Sequence, residues 1–106
     1  MNLATVRAVL ATGKVHLRFG DHAIIEARKD GLTTEDLEQA VANGDIIEDY
    51  GPRALLLGFT RDDGLPCHVV LEYVSGRREA TVVTAYVPDA NEWRRDWKTR
   101  KEKRRR

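Results

Sequence analysis

The sequence contains very little cysteine and no long apolar run. Cys67 is the only cysteine, so an intramolecular disulfide is excluded. Cys67 and the three histidines lack the spacing of a metal site, and we expect neither a metal nor another cofactor. No apolar stretch approaches the roughly 18 residues that a membrane span requires. The first twelve residues do not look like a cleaved signal peptide. Together these absences favour a cytoplasmic protein without a membrane partner.

The charged residues are distributed unevenly along the chain. Residues 94–106 carry nine Lys/Arg and two acidic residues, a net charge of +7. Residues 1–93 carry nine Lys/Arg and fifteen acidic residues, a net charge of −6. With 106 residues, the chain has enough apolar surface for one core. We predict a single domain over residues 1–98 and a disordered basic tail over residues 99–106.

Apolar periodicity and capping residues predict the elements of the domain. Helices are predicted over residues 3–11, 22–30 and 33–43, the last with Thr33 and Asp36 as a capping box. Strands are predicted over residues 14–19, 46–50, 54–60, 65–73 and 80–88. Asp89 is a candidate cap for a last helix, in which Trp93 and Trp97 would share one face at i, i+4 spacing.

This order predicts an α+β fold. N-terminal helices would pack on one face of an antiparallel sheet of three or four strands, followed by the C-terminal helix. The opposite face of the sheet would then remain available for a ligand.

The last two strands would form a hairpin that carries a candidate site. If the turn is Ser75-Gly76-Arg77, His68 lies directly opposite Thr84, and Tyr86 shares their face. A shift by one residue would separate them, because strand side chains alternate between faces. The hairpin alone therefore indicates a site but not its chemistry.

Several motifs resemble those of a small bacterial family, domain of unknown function 4258. The matching residues, in order, are His22-Ala23, Gly31-Leu32-Thr33 with Glu35-Asp36-Leu37, Ala40-Val41-x-x-Gly44-x-Ile46-Ile47-Glu48-Asp49-Tyr50, Pro66-x-His68-Val69-Val70, and Val83-Thr84-Ala85-Tyr86-x-Pro88-Asp89 with Trp93. The resemblance covers residues 14–97 and implies a relation to the compact RelE-like and BrnT-like toxin nucleases, with a barnase-like arrangement of helices before a sheet.

That resemblance implies metal-independent cleavage of RNA by transesterification. A base would activate the ribose 2′-hydroxyl and an acid would protonate the leaving 5′-oxygen. Four residues match the positions expected to act in catalysis: His22, His68, Thr84 and Tyr86. The chain departs from the family at Glu26 and Asp30, where arginines are common, and a carboxylate repels the phosphate that a guanidinium would bind.

Each candidate also has a structural interpretation. His68 can be a buried strand histidine, His22 can secure the start of a helix, and the tryptophans can dock the C-terminal helix on the domain. The rival function is therefore a non-catalytic protein-binding or nucleic-acid-binding module of the same fold. Candidate RNA contacts are Arg94, Arg95, Lys98, Arg100 and Lys101. An acidic antitoxin-like protein and a second copy of the chain are the other expected partners.

Overall fold

The computed structural model describes residues 1–102 and contains three helices and five strands. In chain order the elements are α1 (Leu3–Ala11), β1 (His16–Phe19), α2 (Asp21–Lys29), α3 (Thr34–Asn43), β2 (Asp45–Asp49), β3 (Arg53–Phe59), β4 (Pro66–Glu72) and β5 (Glu79–Tyr86). Each lies within two residues of its predicted bounds. The α+β class is therefore confirmed.

The sheet differs from the predicted antiparallel meander. Its strand order is β1-β5-β4-β3-β2, and β1 lies parallel to β5 at one edge. The backbone N–H groups of His16 and Gly20 donate to the carbonyls of Arg78 and Val82, which fixes β1 beside β5. The prediction of three or four antiparallel strands is wrong on this point, because the sheet has five strands and is mixed.

One face of the sheet holds the main core. Small residues on α2 and α3 let these helices approach the strands closely, with Ala23, Ala27 and Ala40 almost fully buried. The predicted capping box begins α3: the Thr33 hydroxyl accepts from the Asp36 amide, and the Asp36 carboxylate accepts from the Thr33 amide. The strand residues that meet the helices include Leu56, Cys67, Val69, Leu71, Val82 and Ala85.

Gly58 on β3 marks a close approach of helix and sheet. A Cβ at this position would lie 2.7 Å from the Cβ of Ala40 on α3. We expect Gly58→Ala to lower the free energy of unfolding by about 1–3 kcal/mol, because overpacking forces backbone shifts. Urea denaturation followed by circular dichroism measures this change. An unchanged stability would show that α3 moves away from the sheet at little cost.

The predicted C-terminal helix is absent from the described part of the chain. Beyond β5, the C-terminal segment (residues 87–102) makes a single turn at Asp89 and then folds back on itself, with Trp93 bridged to Arg100. The Asp96 carboxylate accepts from the amides of Lys98 and Thr99 and closes the reversal. The prediction is wrong because these local side-chain bonds compete with helical ones.

The part of the tail prediction that covers residues 103–106 lies outside the described residues, whereas residues 99–102 belong to the folded-back C-terminal segment. Within residues 1–102, none of the helices has the length and apolar character needed to cross a membrane.

Candidate functional site

The hairpin of β4 and β5 has a different register from the predicted one. His68 lies opposite Tyr86, and Thr84 lies opposite Val70. The predicted pairing of His68 with Thr84 is wrong by two residues, because a bulge after Val70 and a longer turn change the alignment. A shift by two preserves the side-chain alternation, so His68, Thr84 and Tyr86 still share a face.

His68 is completely buried between the sheet and the C-terminal segment. Its Nε2 lies 2.7 Å from the carbonyl oxygen of Trp97, and its Nδ1 lies 3.3 Å from the Tyr86 hydroxyl. Because a carbonyl can only accept, Nε2 carries the proton, and Nδ1 of the neutral ring accepts from Tyr86. Burial lowers the pKa of His68, although the Trp97 carbonyl favours the protonated ring.

Two tryptophans of the C-terminal segment complete the enclosure of His68. The Trp93 side chain is 2% exposed, and its ring meets the imidazole edge to face at 4.4 Å between centroids. Trp97 has a φ of 59°, which is uncommon for a bulky residue and costs about 1–3 kcal/mol. The hydrogen bond from His68 to the carbonyl of Trp97 helps to offset this strain.

A carboxylate and a guanidinium hold the C-terminal segment against β2. Arg100 makes two bonds to the Glu48 carboxylate, at 2.8 and 2.9 Å, and its guanidinium carbon lies 4.6 Å from the Trp93 ring centroid. Tyr50 donates to the same carboxylate at 2.5 Å. Arg100 lowers the pKa of Glu48, and Glu48 raises the pKa of Arg100, so both groups stay charged near neutral pH.

The four predicted catalytic residues do not form one cluster. Tyr86 bonds His68, whereas Thr84 lies further along the same face. His22 is exposed on α2, in the helical layer, and is therefore separated from His68 by the sheet. Their catalytic roles stay predictions, but the geometry supports direct contact only for His68 and Tyr86.

The two acidic residues that depart from the family pattern have structural partners. The Asp30 carboxylate accepts from the backbone amide of Val87, just beyond β5, at 2.9 Å. Glu26 forms an ion pair with Lys29 at 3.0 Å on the surface of α2. Asp30 therefore links the end of α2 to the start of the C-terminal segment.

Most of the predicted RNA contacts lie on the surface of the C-terminal segment. Arg94, Arg95, Lys98 and Lys101 are exposed, whereas the guanidinium of Arg100 is bound to Glu48. The segment thus exposes these four cations, together with the carboxylates of Asp89, Glu92, Asp96 and Glu102, and buries Trp93.

Sequence reasoning missed Glu48 and Tyr50 as members of this site. Both lie in the motif Glu48-Asp49-Tyr50, which carried part of the family resemblance, yet neither received a role there. The signal that could have found them is a carboxylate at an inward position of β2. Such a residue requires a cation, and Arg100 supplies it from 52 residues away.

The arrangement holds a neutral histidine in contact with a tyrosine but out of reach of solvent. Within residues 1–102 there is no group of three or more His, Cys, Asp or Glu residues that could hold a metal ion. Burial raises the pKa of Cys67 to about 12, so its thiol stays protonated.

The fold and the site define a small mixed α+β domain in which a C-terminal segment seals a histidine against the sheet. The chain belongs to the family described as domain of unknown function (DUF4258), whose sequence pattern matches residues 19–87. The predicted membership is confirmed, and the match covers every strand except part of β1. No curated protein and no solved structure matches the chain.

Proposed function

We propose that this domain binds RNA through its C-terminal segment, as a toxin-like protein of the bacterial cytoplasm related to the RelE-like and BrnT-like nucleases. The observation that carries the proposal is the anchoring of exposed cations on a folded segment. Trp93 and Arg100 fix that segment to an otherwise acidic body. Arg94, Arg95, Lys98 and Lys101 then present positive charge at defined positions, as binding to a phosphate backbone requires.

An exposed aromatic residue next to Arg100 fits the same partner. Tyr50 is 64% exposed and lies next to Arg100 through their shared bonds to Glu48. An exposed ring beside a basic surface is a platform on which unpaired bases stack. We therefore propose single-stranded RNA as the ligand.

Metal-independent RNA cleavage is the second candidate function, and the contact between His68 and Tyr86 favours it. A neutral imidazole can take the proton of the 2′-hydroxyl, and a tyrosine hydroxyl can protonate the leaving 5′-oxygen. In the closed domain both nitrogens of His68 are occupied and the ring is buried. Cleavage therefore requires displacement of the C-terminal segment, and the closed geometry supports binding better than catalysis.

The expected protein partners belong to the same proposal. An acidic antitoxin-like protein would neutralise the C-terminal cations and compete with RNA. A homodimer is the other expected arrangement.

Neutralising cations of the C-terminal segment tests the binding function. We expect Arg94→Gln with Arg95→Gln to weaken binding of a fluorescent single-stranded RNA about tenfold and to lower the salt slope of log K by about 2. The matched control is Arg28→Gln with Lys29→Gln, which removes two exposed cations of α2 and should leave affinity unchanged. Equal losses of RNA affinity in the two variants would show that binding depends on the net charge of the protein and not on the position of these cations. Absence of RNA binding in the unmodified protein would overturn the proposal.

The same preparation separates binding from cleavage. Incubation with labelled RNA in excess chelator, followed by electrophoresis, detects metal-independent products. Products that disappear in Tyr86→Phe, a variant that keeps the ring and removes only the hydroxyl, would support the nuclease. RNA binding without cleavage products would support the non-catalytic binding module.

A further inference from the structure

Strand β1 is an open edge of the sheet. Among residues 1–102 it pairs only with β5, and the amides of His16 and Gly20 donate toward that strand. Because backbone groups alternate in direction along a strand, the N–H and C=O groups of Leu17 and Phe19 point away from β5. These residues therefore present the hydrogen-bonding pattern that a further strand would extend.

The opposite edge of the sheet is protected. Strand β2 contains a bulge between Ile46 and Glu48, and the N-terminal ammonium of Met1 bonds the carboxylate of Asp49 at its end. Bulges and charges are devices by which proteins block edge-to-edge pairing. Strand β1 lacks a bulge in its pairing with β5, so the two edges differ in their capacity to accept a partner.

An apolar groove runs beside β1 on the helical side of the sheet. It lies between α1, β1 and α3, has a volume of about 500 Å³, and is lined mainly by apolar side chains. Among them are Leu10, Val15, Leu17 and Val41. An added strand would place every second side chain into this groove, because side chains alternate across the sheet.

The surroundings of β1 are basic, in contrast to the acidic body. Lys14, Arg18, Arg77 and Arg78 are exposed, and none of them forms an ion pair with any residue in the range 1–102. Four carboxylates lie near this surface: Glu79 beside His16 in the sheet, Glu38 at the groove, Asp21 just beyond β1, and Glu72 in one cavity with Arg77 and Arg78. Glu72 is paired with Arg53, and Arg7 adds a further cation at the groove. Within that range, five cations against three unpaired carboxylates leave the edge positive, and the exposed side chains of a partner strand would therefore be acidic.

We propose that the β1 edge binds an extended segment of a partner protein in which apolar and acidic residues alternate, adding it to the sheet as a sixth strand. Apolar side chains would enter the groove beside Leu17, and carboxylates would meet Arg18 on the other face. Backbone hydrogen bonds to β1 would give the affinity. The alternation of apolar and acidic residues in the partner would determine which of its faces meets the groove.

The same observations disfavour the other occupants of this edge. An antiparallel pairing with a second copy, centred on Leu17, would set Arg18 opposite His16 and bring basic residues together. RNA could meet the cations, but it lacks the alternating N–H and C=O groups that the edge requires. The inference is independent of RNA binding by the C-terminal segment, because it rests on different residues.

A synthetic peptide tests the proposal without altering the protein. The probe is a heptapeptide in which valine or leucine alternates with glutamate, and its affinity is measured by titration calorimetry. Two N-methylated forms carry the methyl groups either on the apolar residues or on the glutamates. We expect one form to lose affinity about tenfold or more, because its methylated amides face β1, and the other to bind within about threefold of the parent.

The methylated peptide that loses affinity reveals whether the added strand runs parallel or antiparallel to β1. Directly opposed residues share a face, so loss in the apolar set indicates antiparallel addition, and loss in the glutamate set indicates parallel addition. Bound peptide should also slow hydrogen exchange of the Leu17 and Phe19 amides. Equal tolerance of both methylated forms, or no binding of the parent peptide, would overturn the proposal.

Charge variants complete the test. A peptide with lysine in place of glutamate should bind at least about tenfold more weakly, and so should the parent peptide with Arg18→Glu. Arg28→Glu, an exposed charge reversal on α2, is the matched control and should leave peptide affinity unchanged. The free protein could instead self-associate in sedimentation and already protect the Leu17 amide from hydrogen exchange. That result would assign the edge to a second copy and overturn the inference. Displacement of the peptide by RNA, with Arg94 and Arg95 neutralised, would overturn it as well.

Discussion

Replacing Trp93 with alanine is expected to lower the free energy of unfolding by about 3–5 kcal/mol. Trp93 is a large, fully buried side chain, and it contacts both the His68 ring on β4 and the Arg100 guanidinium that bonds Glu48 on β2. Its truncation leaves a cavity over the imidazole and removes the aromatic surface on which the guanidinium rests. The C-terminal segment should then detach before the domain unfolds.

Two measurements distinguish detachment from global loss of structure. Urea denaturation monitored by circular dichroism gives the stability, and limited digestion with trypsin reports access to Arg94 and Arg95. We expect cleavage there under conditions in which the rest of the domain is intact. Trp97→Gly is the matched control, because it keeps the carbonyl that His68 bonds and relieves the left-handed φ of Trp97. A Trp93→Ala protein as stable and as resistant to trypsin as the parent would contradict this account of the anchor.

Patterns within one element predict this fold well. The capping box at Thr33 and Asp36 begins α3 as expected, since a cap depends on residues three apart. The shared face of His68 and Tyr86 is also found, because side-chain parity survives a register shift of two. Local sequence patterns therefore predict the bounds of single elements and the residues that share one face of a hairpin.

Contacts between distant parts of the chain lie beyond such patterns. The position of β1 beside β5 joins His16 to Glu79, and the amphipathic pattern of each strand is compatible with several neighbours. The bulge after Val70 has no glycine to mark it, and the register shift follows from it. Both departures arise from pairing energies that no single segment contains.

The candidate site also combines a residue that local patterns predict with contacts that they do not predict. His68 is recognisable as a candidate from its strand, but its enclosure depends on a C-terminal segment that local bonds at Asp96 turn back toward the sheet. The ion pair of Glu48 and Arg100 likewise depends on that reversal.

Removal of the His68 imidazole should cost about 2–4 kcal/mol in His68→Ala, because a buried side chain is lost and two polar partners lose their bonds. Those partners are the Tyr86 hydroxyl and the Trp97 carbonyl. The variant His68→Gln retains an amide donor and an acceptor of similar reach and should recover part of the loss. Thermal denaturation of the three proteins at pH 7.5, monitored by circular dichroism, ranks their stabilities. Equal stability of all three would show that the enclosure of His68 contributes nothing.

The pH profile of stability provides a second readout of the same residue. Burial lowers the pKa of His68 in the folded state, so between the ordinary histidine value of about 6.5 and that lower value the unfolded chain binds more protons. Stability is therefore complete above about pH 6.5 and falls as the pH decreases toward the folded pKa. Glu48, whose pKa is lowered chiefly by its bonds to Arg100, loses its stabilising charge only at more acidic pH, below its ordinary value.

The two pH windows can be separated by substitution. His68→Gln should flatten the profile between pH 7.5 and 5.5 and leave the acidic decline intact, whereas Glu48→Gln should reduce the acidic decline. His22→Gln is the control, because that side chain is exposed on the helical layer and should leave the profile of the parent unchanged. A decline below pH 6.5 that persists in His68→Gln would assign the proton uptake to another group and remove the basis for a neutral, buried imidazole at this site.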